Sequence, residues 1–188
     1  MSDPRCDDDL MLAYGKGDAG AFELLYQRYR KPLYRYLFHA VGDRSTADDL
    51  YQDVWSRLID ARSSFRRDAG FKRFAFRIAH NRLVDHWRSQ ARQPNNGSLE
   101  DQPLAAPDHE QPDSETERTQ QTSHLREALM QLPFDQRQAF LLQQEAGLSL
   151  ADIAARSGVG RETVKSRLRY AAKRLRGLLS PNPEAAEP

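Results

Sequence analysis

A proline-rich acidic segment, residues 93–122, constrains the fold of this chain more than any other feature. It holds four prolines and seven acidic residues, with Arg118 as its one basic residue and almost no large apolar side chain. Such a segment cannot bury enough surface to offset the entropy of ordering it. We therefore predict a disordered linker between two small domains, residues 1–92 and 123–180, and a second disordered segment at 181–188. A coil of this length averages about 30 Å end to end, so the sequence predicts halves that are tethered rather than docked.

Apolar side chains outside this segment recur at intervals of three and four residues, the periodicity of an amphipathic helix. In the N-terminal half they are Phe22, Leu25, Tyr26, Tyr29, Leu33, Tyr36 and Leu37, and then Ala47, Leu50, Tyr51, Val54, Trp55 and Leu58. Pro32 lies inside the first run and predicts a kink or break there. Ser45 has the position of an N-cap for the second run. No alternating strand pattern appears anywhere in the sequence, so the predicted fold class is all-α.

The distribution of charge is more informative than the net charge of +1. Residues 62–92 hold nine Arg or Lys against two Asp, and residues 150–176 hold eight against two acidic residues. Two basic blocks on either side of an acidic one are typical of a chain that touches nucleic acid at two places.

The C-terminal basic block has the pattern of a helix-turn-helix. Gly158 supplies the tight turn, because glycine adopts positive φ at little cost, and Val164 and Leu168 anchor the second helix. The side chains that we expect to face away from this anchor are Arg161, Lys165, Ser166, Arg169 and Lys173. A recognition helix places such residues in the major groove of DNA. The alternative is an ordinary helix with a solvated basic face, which does not account for the turn glycine.

The basic helix predicted at 71–92 interleaves aromatic and cationic side chains. Unstacked bases need a stacking surface and phosphates need countercharge, so this pattern suits single-stranded DNA. The alternative is that the aromatic residues form the core of a helical packing. We favour that alternative for Phe71, Phe74 and Ile78, whereas Trp87 and Phe65 fit both interpretations equally.

Several classes of function find no support in the sequence. Asp48, Asp49 and Asp53 lie on the polar face of one helix, which favours a solvated or partner-binding face over a metal site. The five histidines show no metal or catalytic spacing, so we expect no cofactor, no metal and no enzyme activity.

Cys6 is the single cysteine and cannot form an internal disulfide. The chain lacks an apolar run of the ~20 residues that span a bilayer and its N-terminus is acidic, unlike a signal peptide; we expect a cytoplasmic protein that does not insert into a membrane.

Four segments together resemble bacterial sigma factors of the extracytoplasmic-function type, in the sigma-70 family. FELLYQRYRKPLYRYL is similar to the first segment of the promoter-melting domain, and ADDLYQDVWSRLI to the segment that docks on RNA polymerase. FKRFAFRIAHNRLVDHWR is similar to the run that recognises the -10 element. ALMQLPFDQRQAFLL and the following LSLADIAARSGVGRETVKSRLRYAAKRL resemble the domain that reads the -35 element. The sequence departs from the family at Arg82, where an aliphatic residue is usual.

The resemblance implies three sets of site residues. Core polymerase would be bound by Asp48, Asp49, Gln52, Asp53 and Arg57. The -35 duplex would be bound by Arg161, Thr163, Lys165, Ser166, Arg169 and Lys173. The melted -10 strand would be bound by Phe65, Arg66, Arg67, Lys72, Arg73, Arg77, Asn81, Asp85 and Arg88, with the loop around Phe65 receiving a flipped base.

The implied function is promoter-specific initiation by core RNA polymerase, with promoter DNA as ligand and an anti-sigma factor as a further partner. Two other functions stay open at this point. A stand-alone regulator would read an operator with residues 150–176 and use its N-terminal half as a sensor, but a sensor has no need for a basic aromatic helix. A nucleic-acid enzyme would need a metal or acid–base set that the sequence does not offer.

Overall fold

The computed structural model describes residues 5–92 and 115–180, and these residues form eight α-helices and no strand. The predicted all-α fold class is confirmed. The disorder predicted for residues 93–114 and 181–188 concerns positions outside the described residues. The helices are α1 (Asp7–Gly15), α2 (Ala19–Val41), α3 (Arg44–Asp60), α4 (Phe71–Arg92), α5 (Glu115–Met130), α6 (Phe134–Gln144), α7 (Leu150–Ser157) and α8 (Arg161–Leu179).

Helices α1 to α4 form the N-terminal half around a shared core. Helix α2 runs through Pro32 without a break, so of the kink or break that the sequence predicts there, the break is wrong. Leu33 and Tyr36 are fully buried on one side of the proline and Tyr29 is buried on the other. Packing on both sides holds the helix together against a local cost of about 3 kcal/mol.

The beginning of α3 differs from the prediction, and that of α1 was not predicted. Asp43, rather than Ser45, caps α3, because its carboxylate accepts a 2.7 Å hydrogen bond from the Thr46 backbone N–H. Helix α1 had no sequence-based prediction; it begins after Cys6, whose Sγ accepts from the Asp9 backbone N–H. Leu10 is fully buried and anchors α1 in the core.

Helices α5 to α8 form the C-terminal half. Helix α5 begins at Glu115, so the last eight residues assigned to the linker, 115–122, are helical, and that boundary is corrected. The sequence from 115 to 130 contains no proline or glycine to interrupt a helix. None of the helices within residues 5–92 and 115–180 combines the length and the hydropathy that crossing a bilayer requires.

The two halves are docked, which corrects the expectation that they are only tethered. Helix α2 packs against α5 and α6. The Tyr36 hydroxyl donates a 2.7 Å hydrogen bond to Gln138 Oε1, and the Glu145 carboxylate pairs with Arg35 at 3.0 Å and with His39 at 3.3 Å. The expectation considered only the length of the linker. The halves are held together by contacts between residues about a hundred positions apart, which the linker length does not report.

Candidate promoter-binding and polymerase-binding surfaces

Helices α7 and α8 form the predicted helix-turn-helix. Ser149 and Asp152 form a capping box at the start of α7, and Gly158 ends it with a φ of 64°, in the left-handed region that favours glycine. Ile153 and Val164 are fully buried where the two helices meet. The turn and the crossing are therefore determined by residues that the sequence pattern identified.

Four of the residues predicted to read duplex DNA share one side of α8, namely Lys165, Ser166, Arg169 and Lys173, whereas Arg161 and Thr163 lie at its N-terminal end on either side of them. Arg161, Thr163, Lys165, Arg169 and Lys173 are exposed and Ser166 is partly buried. Arg167, between them in sequence, is instead bound to Asp135 of α6 at 2.5 Å and ties α8 to its own domain. The Lys165 side chain is 69% exposed and its nearest carboxylate, on Glu162, lies 3.9 Å away. The cations on this side are accordingly available to phosphates.

A second polar stripe follows α4, the helix predicted to hold the melted strand. Its members recur at intervals of about four residues and therefore share a side of the helix. They are Arg73, Arg77, Asn81, Asp85 and Arg88, all exposed, with Lys72 exposed beside them. The Arg77 guanidinium lies 5.3 Å from the centre of the Phe74 ring, a cation–π arrangement.

Phe65 lies in the core rather than on the surface, which corrects its assignment as a residue that contacts DNA directly. Its side chain is 6% exposed and its ring packs against Phe74 at 5.4 Å and Phe71 at 6.3 Å. Phe71 and Phe74 are buried as expected. A base cannot stack on Phe65 in this conformation, while Arg66 and Arg67 beside it are exposed.

The C-terminal half contacts part of the α4 surface. Arg73 forms a 3.2 Å ion pair with Asp152 of α7, and the Arg73 carbonyl accepts a 3.1 Å hydrogen bond from Arg156. The Trp87 ring packs against Phe134 at 5.9 Å and lies 5.5 Å from the Arg137 guanidinium. Trp87 therefore belongs to the interface between the halves. The two interpretations of Trp87 were a residue in the core of a helical packing and a residue that contacts DNA, and an interface residue is neither.

Polar side chains buried in this interface are incompletely satisfied. His80 Nδ1 lies 3.2 Å from the Tyr36 hydroxyl, and burial, with the nearby Arg156 charge, lowers the pKa of His80 to about 4. Burial also lowers the pKa of the Arg156 guanidinium. Buried side-chain nitrogens without a hydrogen-bond partner among the described residues are Trp87 Nε1, Arg137 Nε, Gln138 Nε2, Arg156 Nε and Arg156 Nη1. Each such group carries a desolvation cost of about 1–3 kcal/mol, which opposes the docking of the halves.

The acidic face of α3 is divided between paired and unpaired carboxylates. Asp53 is held between Arg57, 3.1 Å away on the same helix, and Arg82 of α4. Asp48 lies 3.8 Å from Arg44. Asp49 and Gln52 are exposed, and no ion pair to Asp49 is found in the part of the chain that the structure describes.

Residues of α1 were missed by the sequence analysis. The Asp8 carboxylate accepts a 2.5 Å hydrogen bond from the backbone N–H of Phe71, the first residue of α4. The Asp9 carboxylate forms an ion pair with Arg67. The signal in the sequence was three acidic residues before an apolar pair, the pattern of a helix beginning.

Comparison with known proteins identifies the family. Residues 25–93 match the family described as Sigma-70 region 2, and residues 124–175 match Sigma-70, region 4. The ECF RNA polymerase sigma factor SigM of Mycobacterium tuberculosis is 34% identical over 176 residues, which cover 93% of this chain and 85% of SigM. This chain is an extracytoplasmic-function sigma factor of the sigma-70 family. The RNA polymerase sigma-H factor of Pseudomonas aeruginosa is 29% identical to this sigma factor, over 93% of the chain and 94% of that protein.

Solved structures agree with this membership. The sigma factor RpoE of Bartonella quintana, in complex with the anti-sigma factor NepR, has a TM-score of 0.70 at 25% identity, over 86% of this sigma factor and 98% of that chain. CnrH in complex with the cytosolic domain of CnrY shares the fold, with a TM-score of 0.68 at 21% identity and a coverage of 96% and 99%. Each match covers most of the chain and therefore includes residues of both halves.

Proposed function

We propose that this sigma factor directs core RNA polymerase to its promoters by three surfaces: α3 binds the polymerase, α8 reads the -35 duplex and α4 holds the melted -10 strand. The observation that supports this most is the presence of two separate exposed basic surfaces, on α4 and α8, in one chain with both sigma-70 regions. The protein itself carries out no catalysis in this proposal. It acts in the cytoplasm as a subunit of the initiation complex.

The α8 surface suits duplex DNA. Lys165 and Arg169 project from the N-terminal part of an exposed recognition helix, where side chains reach base edges and phosphates in the major groove. Gly160 caps this helix without a side chain, which lets DNA approach its N-terminus closely.

The α4 surface suits a single strand. Arg73, Arg77 and Arg88 supply countercharge along one side of the helix, and Asn81 between them can hydrogen-bond to base edges. With Phe65 in the core, the exposed Arg66 and Arg67 are the loop residues that meet the strand. Phe65 then supports the loop from below instead of stacking on a base.

The α3 surface suits a basic partner. Asp49 and Gln52 are exposed on successive turns, and Asp48, Asp53 and Arg57 flank them. An exposed carboxylate without an internal partner gains most from a cationic residue of another protein. We therefore assign the main polymerase contact to Asp49, with Gln52 beside it.

The docked arrangement has to open for this function. Promoter elements about two helical turns apart, at ~34–36 Å per turn, need the two DNA-binding surfaces far from each other, whereas Arg156 of α7 touches the carbonyl of Arg73 on α4. Polymerase would hold the halves apart. The unsatisfied nitrogens in the interface lower the cost of separating them, because water satisfies these groups once they are exposed.

An anti-sigma factor is the second partner that we propose. The sigma factor RpoE of Bartonella quintana, named above, was solved in complex with such a protein, the anti-sigma factor NepR. A protein of this kind would bind the sigma factor in competition with core polymerase, and adding it would abolish transcription from the sigma-dependent promoter without affecting the core enzyme.

Reconstitution with core RNA polymerase tests the function. The full-length chain and core enzyme would be used to select promoters from a random DNA library, and run-off transcription would be measured on the selected promoters. We expect transcripts with one defined start only when both components are present. Specific duplex binding by the chain alone, with no promoter-dependent transcript, would instead favour the stand-alone regulator.

A further inference from the structure

The loop between α3 and α4, residues 61–70, rests on helix α1. The loop begins beside Tyr14, whose ring centre lies 5.9 Å from the Arg62 guanidinium. It ends where the Asp9 carboxylate pairs with Arg67 and the Asp8 carboxylate accepts from the backbone N–H of Phe71. Helix α1 thus contacts both ends of the segment that presents the exposed arginines to the -10 strand.

The carboxylates of Asp8 and Asp9 are not needed to hold α1 in the fold. Leu10 is 0% exposed and Met11 2% exposed, so their side chains anchor α1 in the core. Asp7, on the same turn, binds Arg28 at 2.7 Å and the Tyr29 hydroxyl, both on α2. Asp9 accepts a 3.0 Å hydrogen bond from Cys6 Sγ at the start of α1, and beyond α1 the contacts of Asp8 and Asp9 are to the loop and to the start of α4.

The contact from Asp8 determines where α4 begins. The first backbone N–H groups of a helix have no partner within the helix, and a carboxylate there satisfies one of them and interacts favourably with the helix dipole. Asp8 supplies this carboxylate from 63 residues earlier in the chain. Gly70, just before α4, has a φ of 71°, which a residue with a side chain rarely adopts, so the loop turns into α4 at this glycine.

We propose that Asp8 and Asp9 are positioning residues for capture of the -10 strand, because they hold the 61–70 loop and the N-terminus of α4 in the orientation that presents Arg66 and Arg67. The inference rests on the proposed function of α4. The opposite role is that Asp9 shields Arg67 from DNA. The two roles predict opposite changes in the rate of strand capture, since loss of a positioning contact slows it while loss of a shield accelerates it.

The test uses the full-length protein in holoenzyme with the polymerase-selected promoter. Open-complex formation would be followed by the fluorescence of 2-aminopurine placed in the -10 strand, and duplex binding by competition with a fragment that contains the -35 element alone. Asp8→Ala and Asp9→Ala are expected to slow opening about fivefold, the factor that corresponds to the loss of one helix cap. Affinity for the -35 fragment and for core polymerase should stay unchanged, and Asp9→Glu should retain most of the opening rate.

Asp7→Ala is the matched control, because it removes the same carboxylate from the same turn while its partners Arg28 and Tyr29 lie on α2. Thermal unfolding of each variant separates misfolding from mispositioning. Opening rates for Asp8→Ala and Asp9→Ala equal to that of Asp7→Ala would overturn the proposal, as would faster opening by Asp9→Ala, which indicates shielding. If the wild-type holoenzyme selects no promoter, the failure lies with the proposed function and not with α1.

Discussion

The Tyr36 hydroxyl donates a 2.7 Å hydrogen bond to Oε1 of Gln138, which lies 102 residues further along the chain. This buried contact connects α2 of the N-terminal half to α6 of the C-terminal half, and His80 meets the same hydroxyl from α4. The three side chains make the interface between the halves polar at its centre. A polar, partly unsatisfied interface is suited to a contact that opens.

Removing the hydroxyl should therefore open the protein. Tyr36→Phe leaves Gln138 Oε1 without its donor, at a cost of about 1–3 kcal/mol, which is about a five- to 150-fold shift of the docking equilibrium. Single-molecule FRET between dyes on α3 and α8 would measure the open fraction. Tyr170→Phe is the control, because Tyr170 is 52% exposed on α8. An open fraction equal in the two variants would contradict the prediction.

Acidification should also open the halves. The pKa of His80 is lowered by burial from 6.5 to about 4, so the docked form holds this side chain neutral. Burial of the neutral His80 costs the docked form nothing above pH 6.5, so its full stability relative to the open form is present there. As the pH falls from about 6.5 to 4, His80 binds a proton in the open form but not in the docked form, and this stability is lost. The Glu145 pKa is held below its usual value by its hydrogen bond to His39 and by Arg35, so its ion pair with Arg35 persists through most of this range.

A His80→Gln variant checks the origin of the pH effect. Its open fraction, measured by the same FRET pair, should change much less between pH 6.5 and 4 than that of the wild type. A wild-type slope that persists in His80→Gln would assign the effect to other groups.

Replacing Arg156 by methionine should favour the docked form. Two of its nitrogens, Nε and Nη1, are buried without a partner among the described residues, and burial lowers the pKa of the guanidinium. A methionine of similar length removes the desolvation cost of this charge and loses one hydrogen bond to the Arg73 carbonyl. We expect a lower open fraction and weaker binding to core polymerase, measured by FRET and by competition; an increased open fraction would show that the hydrogen bond outweighs the desolvation.

On α8, removing a positively charged side chain should weaken duplex binding only when that side chain faces the DNA. Lys165→Ala and Arg169→Ala should each reduce the slope of log affinity against log salt by about 1 if they contact phosphate. Arg174 is the matched control, since nine residues, or two and a half turns, place it opposite Lys165. Holoenzyme binding to the -35 fragment at several salt concentrations is the measurement, and an equal loss in Arg174→Ala would indicate a non-specific charge effect.

On α3, Asp49→Asn should weaken polymerase binding more than Asp53→Asn. The Asp53 carboxylate is already held by Arg57 and Arg82, whereas Asp49 is exposed. The Asp53 and Arg82 side chains keep about a third of their surface in solvent, which screens the pair, so Arg82→Leu should lower the free energy of unfolding by under about 1 kcal/mol. Competition binding to core enzyme and denaturant unfolding measure the two effects; a larger loss of affinity in Asp53→Asn would reverse the assignment.

Local features were predictable because short-range physics decides them. The turn at Gly158, the buried Val164 and the exposed Lys165 and Arg169 all follow from helical periodicity and from the conformational freedom of glycine. The same periodicity predicted that Phe71 and Phe74 are core residues. These positions involve partners within a few turns, so the pattern of the sequence contains the information.

The sequence by itself determined an all-α chain with two basic surfaces, and the resemblance of four of its segments to sigma factors identified the family. Only the tertiary structure decided that Phe65 is buried, that α2 continues through Pro32, that α1 supports the loop before α4 and that Tyr36 meets Gln138. Each of these depends on the free energy of contacts between distant segments, such as Asp8 with Phe71. A local pattern reports how one helix divides its surface between core and solvent, but not which other segment covers the buried side.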